Sequence, residues 1–211
     1  MSDDVAVAKV VMPEKGVFLV RCQCEPPQCG AEAIVSLDYG ADIGTVVESG
    51  TYDPERHGPR PPGFLLLRGR EPGDDAQLAE NERLSIAMRN TFVKAAQADV
   101  PDLRVPYARL SFARTRLFLR FASSVRKPDL SRPIAETRRR FDVSVNVWQM
   151  GPRDEVGMMG GIGPCGRPCC CATWQQRYPS RLADAAGLGD SPVAMNGACG
   201  RFKCCLAFER E

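Results

Sequence analysis

The chain has 211 residues, of which 44% are hydrophobic and 26% are charged, and its formal net charge is +2. This composition is typical of a soluble globular protein with one ordinary domain or two small ones. It contains no apolar run of about 18 residues that could span a bilayer, and its start lacks the cationic and apolar pattern of a signal peptide. We therefore expect a cytoplasmic protein without membrane insertion.

The charges are unevenly distributed along the chain. Acidic residues outnumber basic residues in positions 1–100, whereas arginine and lysine dominate positions 101–140. This asymmetry predicts an acidic partner, either RNA or an acidic protein surface; the alternative is an arginine-rich sheet face that is merely solvated. The arginines expected to form a nucleic-acid or partner surface are Arg109, Arg114, Arg116, Arg120, Arg138, Arg139 and Arg140.

Residues 1–62 are predicted to form a small β-rich subdomain. Short runs of β-favouring residues at 5–12, 16–22, 33–37 and 43–48 are separated by glycine and proline. This punctuation is typical of a small antiparallel sheet or barrel. The Pro/Gly/Arg-rich loop from His57 to Gly63 is interpreted as a domain boundary.

Residues 63–150 are predicted to form a ferredoxin-like subdomain, because their hydrophobic periods follow the order β-α-β-β-α-β. A strand at 64–67 precedes a helix over 75–98, whose apolar stripe is Leu84, Met88, Phe92 and Ala95. A hairpin at 105–113 and 116–121, a helix over 130–141 and a strand at 143–147 complete the order. The expected fold class is α+β.

Residues 151–211 are predicted to form an irregular, cysteine-rich lobe. Regular periods stop after Met150, and the segment has too few large apolar residues for a core of its own, so it needs packing or a metal to order it. The adjacent acids Asp154 and Glu155 are interpreted as capping or ion-pair partners of Arg153 and its neighbours.

The phrase C-G-R-x-x-C-C occurs twice, at residues 165–171 and 199–205, and the two copies hold seven of the ten cysteines. Thiolates suit zinc and iron–sulfur centres, so two half-sites of a metal or cluster site are predicted. Arg167 and Arg201 follow the leading cysteines and are expected to favour the thiolate form that a metal requires. The spacing matches neither zinc ribbons nor the common ferredoxin run, so it does not specify the metal.

Two other interpretations of these thiols stay open, namely inert buried cysteines and a thiol-based redox site. Cys22, Cys24 and Cys29 form a separate C-x-C-x4-C trio, which is either a second metal or redox site or an incidental cysteine-rich turn. The single histidine, His57, offers no convincing nucleophile–base pair. We therefore expect no enzyme activity.

The tail resembles the signature of the bacterial YaaT/RicT family, whose shared domain is named after a suppressor of DNA polymerase alpha. The resemblance is carried by Q-M-G-P-R-D-E at 149–155, by M-M-G-G-I-G-P-C-G-R at 158–167 with the following cysteines, and by C-G-R-F-K-C-C-L-A-F-E at 199–209. Carried over residue by residue, the family cysteines fall on Cys165, Cys170, Cys171, Cys199, Cys204 and Cys205. Cys169 stands where the family has an apolar residue and adds a further candidate ligand.

The resemblance implies a cytoplasmic accessory protein without catalysis of its own. Members of the family work with two small helical partner proteins in a complex that carries [4Fe–4S] clusters. That complex promotes maturation of messenger RNA by a membrane-associated endoribonuclease and is linked to phosphorelay control of sporulation, competence and biofilm formation. The expected cofactor is therefore an iron–sulfur cluster, with a structural zinc site or a thiol redox sensor as the alternatives.

Overall fold

The computed structural model of the chain describes residues 5–176 and 196–203. Its strands are β1 Ala6–Met12, β2 Gly16–Cys22, β3 Glu32–Leu37, β4 Gly40–Thr51, β5 Leu65–Gly69, β6 Arg104–Leu110, β7 Arg116–Ala122 and β8 Ser144–Gln149. Its helices are α1 Pro54–His57, α2 Asp74–Ala96, α3 Ser131–Phe141 and α4 Pro152–Met159. The predicted α+β class is confirmed. None of the helices in the described ranges has both the length and the apolar character needed to cross a membrane.

Strands β1 to β5 close into a barrel in the order β1-β2-β5-β3-β4. Strand β1 pairs antiparallel with β2 and with β4, and β3 pairs antiparallel with β4 and with β5. Since side chains alternate across a strand, one face of every strand points into the barrel. The fully buried inward residues include Val10, Val20, Val35, Val46 and Leu66. This core explains the β-branched runs of the first 50 residues.

The position of β5 corrects the predicted ferredoxin-like sheet. The order β5-α2-β6-β7-α3-β8 agrees with the predicted order of elements, but β5 pairs with β2 and β3 of the barrel. The remaining strands form a three-stranded sheet in the order β6-β7-β8. Leu66 explains the difference, because its side chain is buried in the barrel core. The predicted boundary at residues 62–63 therefore cuts through the barrel.

Helix α2 buries a face that is partly polar. Met88, Phe92 and Ala95 of the predicted stripe are buried, as expected for an amphipathic helix. Asn81, about two turns before Met88, is also buried. Its side-chain amide donates hydrogen bonds to Ser111 O at 3.2 Å and to Phe112 O at 3.1 Å, and both residues follow β6. The helix is thus fixed to the β6–β7 connection by hydrogen bonds as well as by apolar packing.

Arg109 of β6 is held by two buried carboxylates. Its guanidinium donates to both oxygens of Asp42, at 2.9 and 2.8 Å, and its Nε lies 2.7 Å from Glu14 Oε1. The Asp42 side chain has no exposed surface, and that of Glu14 is 2% exposed. The prediction that Arg109 belongs to a partner surface is therefore corrected. Its two carboxylate partners come from β4 and from the turn between β1 and β2, both distant in sequence, so no local pattern reveals them.

Residue contacts divide the described chain into two compact units. The first contains the described residues of Met1–Ala95, Ala108–Leu119 and Leu130–Asn146, and the second those of Ala96–Tyr107, Arg120–Asp129 and Val147–Glu211. The second unit includes α4, which the sequence analysis missed in a segment expected to be irregular. Pro152 opens this helix and the amide of Gly151 donates to Asp154 Oδ2 at 3.2 Å, so its start follows ordinary capping rules.

Candidate metal centre

Both copies of the cysteine motif fold into the same local turn. In the first copy the amide of Gly163 donates to Arg167 O at 2.8 Å, and in the second the amide of Gly197 donates to Arg201 O at 2.7 Å. A short antiparallel bridge flanks each turn, at 162–168 and at 196–202. The sequence repeat is therefore also a structural repeat, and it begins three residues before the leading cysteine.

The glycine in the middle of each C-G-R has a conformational role. Gly166 and Gly200 have φ angles of 75° and 73°, and their amides close the turns onto Gly163 O and Gly197 O at 2.9 and 3.0 Å. Residues with a Cβ rarely adopt this left-handed conformation, whereas glycine does so without cost. The shared turn thus requires glycine at the position that follows the leading cysteine.

The two turns line a single cavity of about 60 Å³ in the second unit. Helix α4 supplies Arg153 and Val156 to its wall, and Phe202 and Lys203 come from the second copy. The cysteines that line the cavity are Cys165, Cys169, Cys170, Cys171 and Cys199. Cys204 and Cys205, which belong to the predicted ligand set, lie outside the described residues.

The side chains around the cavity match the donor chemistry of a soft metal. Among the residues that the structure describes, the lining offers thiols from both copies and no carboxylate, and thiolates favour zinc and iron–sulfur centres over hard cations. Within residues 5–176 and 196–203, no three His, Cys, Asp or Glu side chains are grouped closely enough to hold a metal ion. The structure thus places thiols of both copies around one space without gathering them into a coordination shell.

Glycine at position 157 permits the close packing of α4 against these cysteines. A Cβ at Gly157 would lie 3.3 Å from Cys171 O and 3.7 Å from Cys171 Cβ. Residues 170–172 form a short 3₁₀ turn in this position. A larger side chain would push the turn away from the helix, so Gly157 sets the distance between α4 and the cysteine run.

Arg153 is a residue of the cavity that the sequence analysis did not identify. It is only 5% exposed, and its Nη2 donates to Gln175 O at 2.6 Å. Of the two acids interpreted as capping or ion-pair partners, Asp154 caps the start of α4, and Glu155 pairs with Arg104 at 2.8 and 3.1 Å. Arginine is rarely buried, so no sequence signal marks this one.

The cations of the cavity wall differ from those expected. Arg153 and Lys203 line the cavity, whereas Arg167 and Arg201 are exposed and are not part of its lining. The backbone oxygens of Arg167 and Arg201 accept the turn hydrogen bonds described above. These backbone contacts show that both arginines take part in the turn geometry, while the cations of the described cavity wall are Arg153 of α4 and Lys203.

The thiols of the N-terminal trio have three different surroundings in the first unit. Cys22 packs against the barrel core, and burial, with a smaller contribution from Cys24, raises the pKa of the Cys22 thiol. Cys24 is exposed, and Cys29 donates a hydrogen bond to Val47 O at 3.0 Å. These arrangements agree with a cysteine-rich turn that extends from β2, and the three described thiols do not converge on a common point.

The predicted arginine surface divides into different environments. Arg114 donates to Asn81 Oδ1 at 2.6 Å, and Arg116 lies over the Tyr39 ring at 4.6 Å from its centroid. In the second unit, Arg120 lies over the Tyr107 ring at 5.4 Å. Arg138, Arg139 and Arg140 are exposed in the last turn of α3, where the helix dipole favours positive charge. These three are the arginines of the set most open to a partner.

One known protein resembles most of this chain. Stage 0 sporulation protein YaaT of Bacillus subtilis (strain 168) is 27% identical over 181 residues, which cover 84% of this chain and 65% of the relative. The chain thus spans 65% of the length of this relative. No family model matches the chain, and no solved structure matches it. The similarity supports the predicted family, while the metal ligands stay a prediction.

Proposed function

Because this similarity supports membership of the YaaT family, we propose that the chain is a non-catalytic accessory subunit that carries an iron–sulfur cluster. Its partners are two small helical proteins and an endoribonuclease, and the assembly promotes maturation of messenger RNA in the cytoplasm. The name of the Bacillus relative adds a regulatory role connected with sporulation or a comparable developmental programme.

The observation that carries the cluster proposal is the duplicated turn around one thiol-lined cavity. The turns hold Cys165 and Cys199 in equivalent positions, and Cys170 and Cys171 line the same space. These four thiols, with Cys204 and Cys205, are the proposed ligands, and Cys169 is an additional candidate. A bound cluster supplies a redox-active centre that also ties the two copies together. Arg153 contributes a buried positive charge that offsets the charge of thiolates.

Replacing both leading cysteines tests this proposal. We expect protein purified without oxygen to contain iron and acid-labile sulfide and to absorb visible light. The double variant Cys165→Ala/Cys199→Ala is expected to lose most of its iron and sulfide, since each copy then lacks the thiol that its turn presents. Iron, sulfide and zinc assays with an absorption spectrum measure the outcome.

The matched control is Cys24→Ala/Cys29→Ala, which removes two thiols from the first unit. It should keep the iron and sulfide content of the unmodified chain. Stoichiometric zinc without sulfide would contradict the cluster and make the lobe a structural zinc site. Equal iron loss in both double variants would contradict the assignment to the C-G-R-x-x-C-C copies.

The proposed RNA contact rests on the exposed end of α3. Arg138, Arg139 and Arg140 are consecutive and exposed in the last turn of α3. Arginine side chains in such a position contact phosphates and bind RNA with little sequence preference. This cluster, rather than the ion-paired Arg109, is the proposed electrostatic contact.

Salt dependence measures this contact. The slope of the logarithm of the RNA association constant against the logarithm of salt concentration is negative. For Arg139→Gln/Arg140→Gln and a single-stranded RNA, we expect the magnitude of this slope to decrease by about 1.4, since each phosphate contact contributes ~0.7. The control Arg56→Gln/Arg83→Gln removes two other exposed arginines of the first unit. An unchanged slope in the α3 variant, or the same change in both variants, would contradict the assignment of RNA binding to the C-terminal end of α3.

A further inference from the structure

An open groove in the second unit combines two arginines with the cysteine run. It has a volume of about 310 Å³. Arg120 of β7 lines it together with Arg153 and Asp154 of α4, and Gln176 adds a polar side chain. The groove is distinct from the thiol-lined cavity, although Arg153 and Cys171 line both. Its size and its polar lining suit a small charged group.

The charges that face the groove favour an anion. Arg120 and Arg153 bring two guanidinium groups, whereas Asp154 brings one carboxylate. That carboxylate already accepts the amide of Gly151 at 3.2 Å as part of the α4 start. Within the described part of the chain, no carboxylate forms an ion pair with Arg120, and its guanidinium lies over the Tyr107 ring. The groove therefore has a net positive lining.

The two arginines differ in a way that suits a specific site. Arg153 is more than nine-tenths buried and is oriented by its hydrogen bond to Gln175 O, so little side-chain entropy remains to be lost on binding. Arg120 is half-buried, and its guanidinium carbon lies 5.4 Å from the centroid of the Tyr107 ring, a cation–π contact that limits its freedom. A planar fork held in this manner matches the oxygen geometry of phosphate better than a flexible ammonium does.

We propose that this groove is a binding site for a phosphate group, held by Arg120 and Arg153. The phosphate is either the terminal monoester of a nucleotide or an internal diester of RNA, and the chemistry of recognition is the same for both. The site does not depend on the cluster or on the α3 arginines. Because Arg153 also lines the cysteine cavity, a phosphate in the groove lies against the same side chain as the contents of that cavity.

Binding of two small ligands tests the site on the full chain. Equilibrium dialysis or calorimetry at low salt would use adenosine 5′-monophosphate, which has a terminal phosphate, and the dinucleotide ApA, which has one internal phosphate. We expect saturable binding of at least one of them. Arg120→Gln should weaken this binding about tenfold, in keeping with the ~1.4 kcal/mol that corresponds to one charge-assisted contact. Arg83→Gln, which removes an exposed arginine of α2 that belongs to neither proposed binding site, should leave it unchanged.

The outcomes separate this site from the proposed function and from each other. Binding of the monophosphate alone identifies a terminal phosphate as the ligand, and binding of ApA identifies an internal diester; both support the site. No saturable binding of either ligand by the unmodified chain would overturn it, whatever the iron content. Equal weakening by Arg120→Gln and Arg83→Gln would also overturn it. Arg120→Lys keeps the charge and serves as a control for a loss of binding caused by misfolding. It should bind more weakly than the unmodified chain but better than Arg120→Gln.

Discussion

Replacing Asp42 by alanine is expected to lower the free energy of unfolding of the first unit by about 3–5 kcal/mol, the range found when one member of a buried ion pair is removed. The Asp42 side chain is completely buried and accepts two hydrogen bonds from Arg109. It also accepts the amides of Ile43 and Phe112 at 2.9 and 3.0 Å. Alanine would leave both amides and the guanidinium N–H groups that bond Asp42 without an acceptor, and Glu14 alone would remain to pair with Arg109.

The hydroxyl of Tyr39 is part of the same cluster, and it donates to Asp42 Oδ2 at 2.8 Å. Burial raises the pKa of Tyr39, and the Asp42 carboxylate raises it further, so the phenol stays a donor at neutral pH. Urea unfolding followed by far-ultraviolet circular dichroism measures the loss. The control is Glu48→Ala, which removes an exposed carboxylate that pairs with Lys9 at 2.6 Å. Similar losses in the two variants would contradict the special role of burial.

Replacing Gly44 by alanine is expected to destabilise the barrel by about 1–3 kcal/mol, the usual cost of overpacking a core. Gly44 lies in β4 and is buried. A Cβ at this position would overlap Met12 Sδ and would lie 2.6 Å from Val10 Cγ1 and 3.0 Å from Val11 O. Met12 is flexible enough to yield, but the carbonyl of Val11 belongs to the paired strand β1 and moves only with the strand.

The same strand provides the control. Gly50 is exposed, its φ is not positive, and a Cβ there would meet no atom within 4 Å. Gly50→Ala is therefore expected to be neutral or stabilising by up to about 1 kcal/mol, because alanine restricts the unfolded chain. Urea unfolding midpoints of the two variants decide the matter. If Gly44→Ala were as stable as Gly50→Ala, the tight packing between β1 and β4 would be refuted.

Much of the candidate site could be recognised from sequence because its information is local. The duplicated C-G-R-x-x-C-C phrase predicted two equivalent half-sites, and the glycine of each copy occupies a conformation that only a residue without a Cβ adopts easily. Arg153 escaped notice for the opposite reason. Its burial depends on the packing of α4 against residues 170–175, more than ten positions away, and nothing in its immediate neighbours indicates this contact.

The arginine-rich segment shows the same limit. Sequence correctly located an excess of positive charge, but it could not separate Arg109, neutralised by Asp42 and Glu14, from the exposed Arg138–Arg140. Charge is a property of composition, whereas its availability depends on which carboxylates the fold brings within about 3 Å. Electrostatic arguments from sequence therefore overcount the surface that a partner can use.

The secondary-structure elements from β1 to β8 and their order were largely encoded in local periodicity, since alternation and helical stripes depend on neighbouring residues alone. The short helices α1 and α4 were the exceptions, and in α4 Gly157 interrupts the apolar pattern. Strand pairing followed a different rule. Leu66 carries β5 into the barrel because closure between β2 and β3 buries that side chain and satisfies the backbone of both neighbours. Such long-range closure is a property of the assembled chain, and no local pattern around residue 65 specifies it.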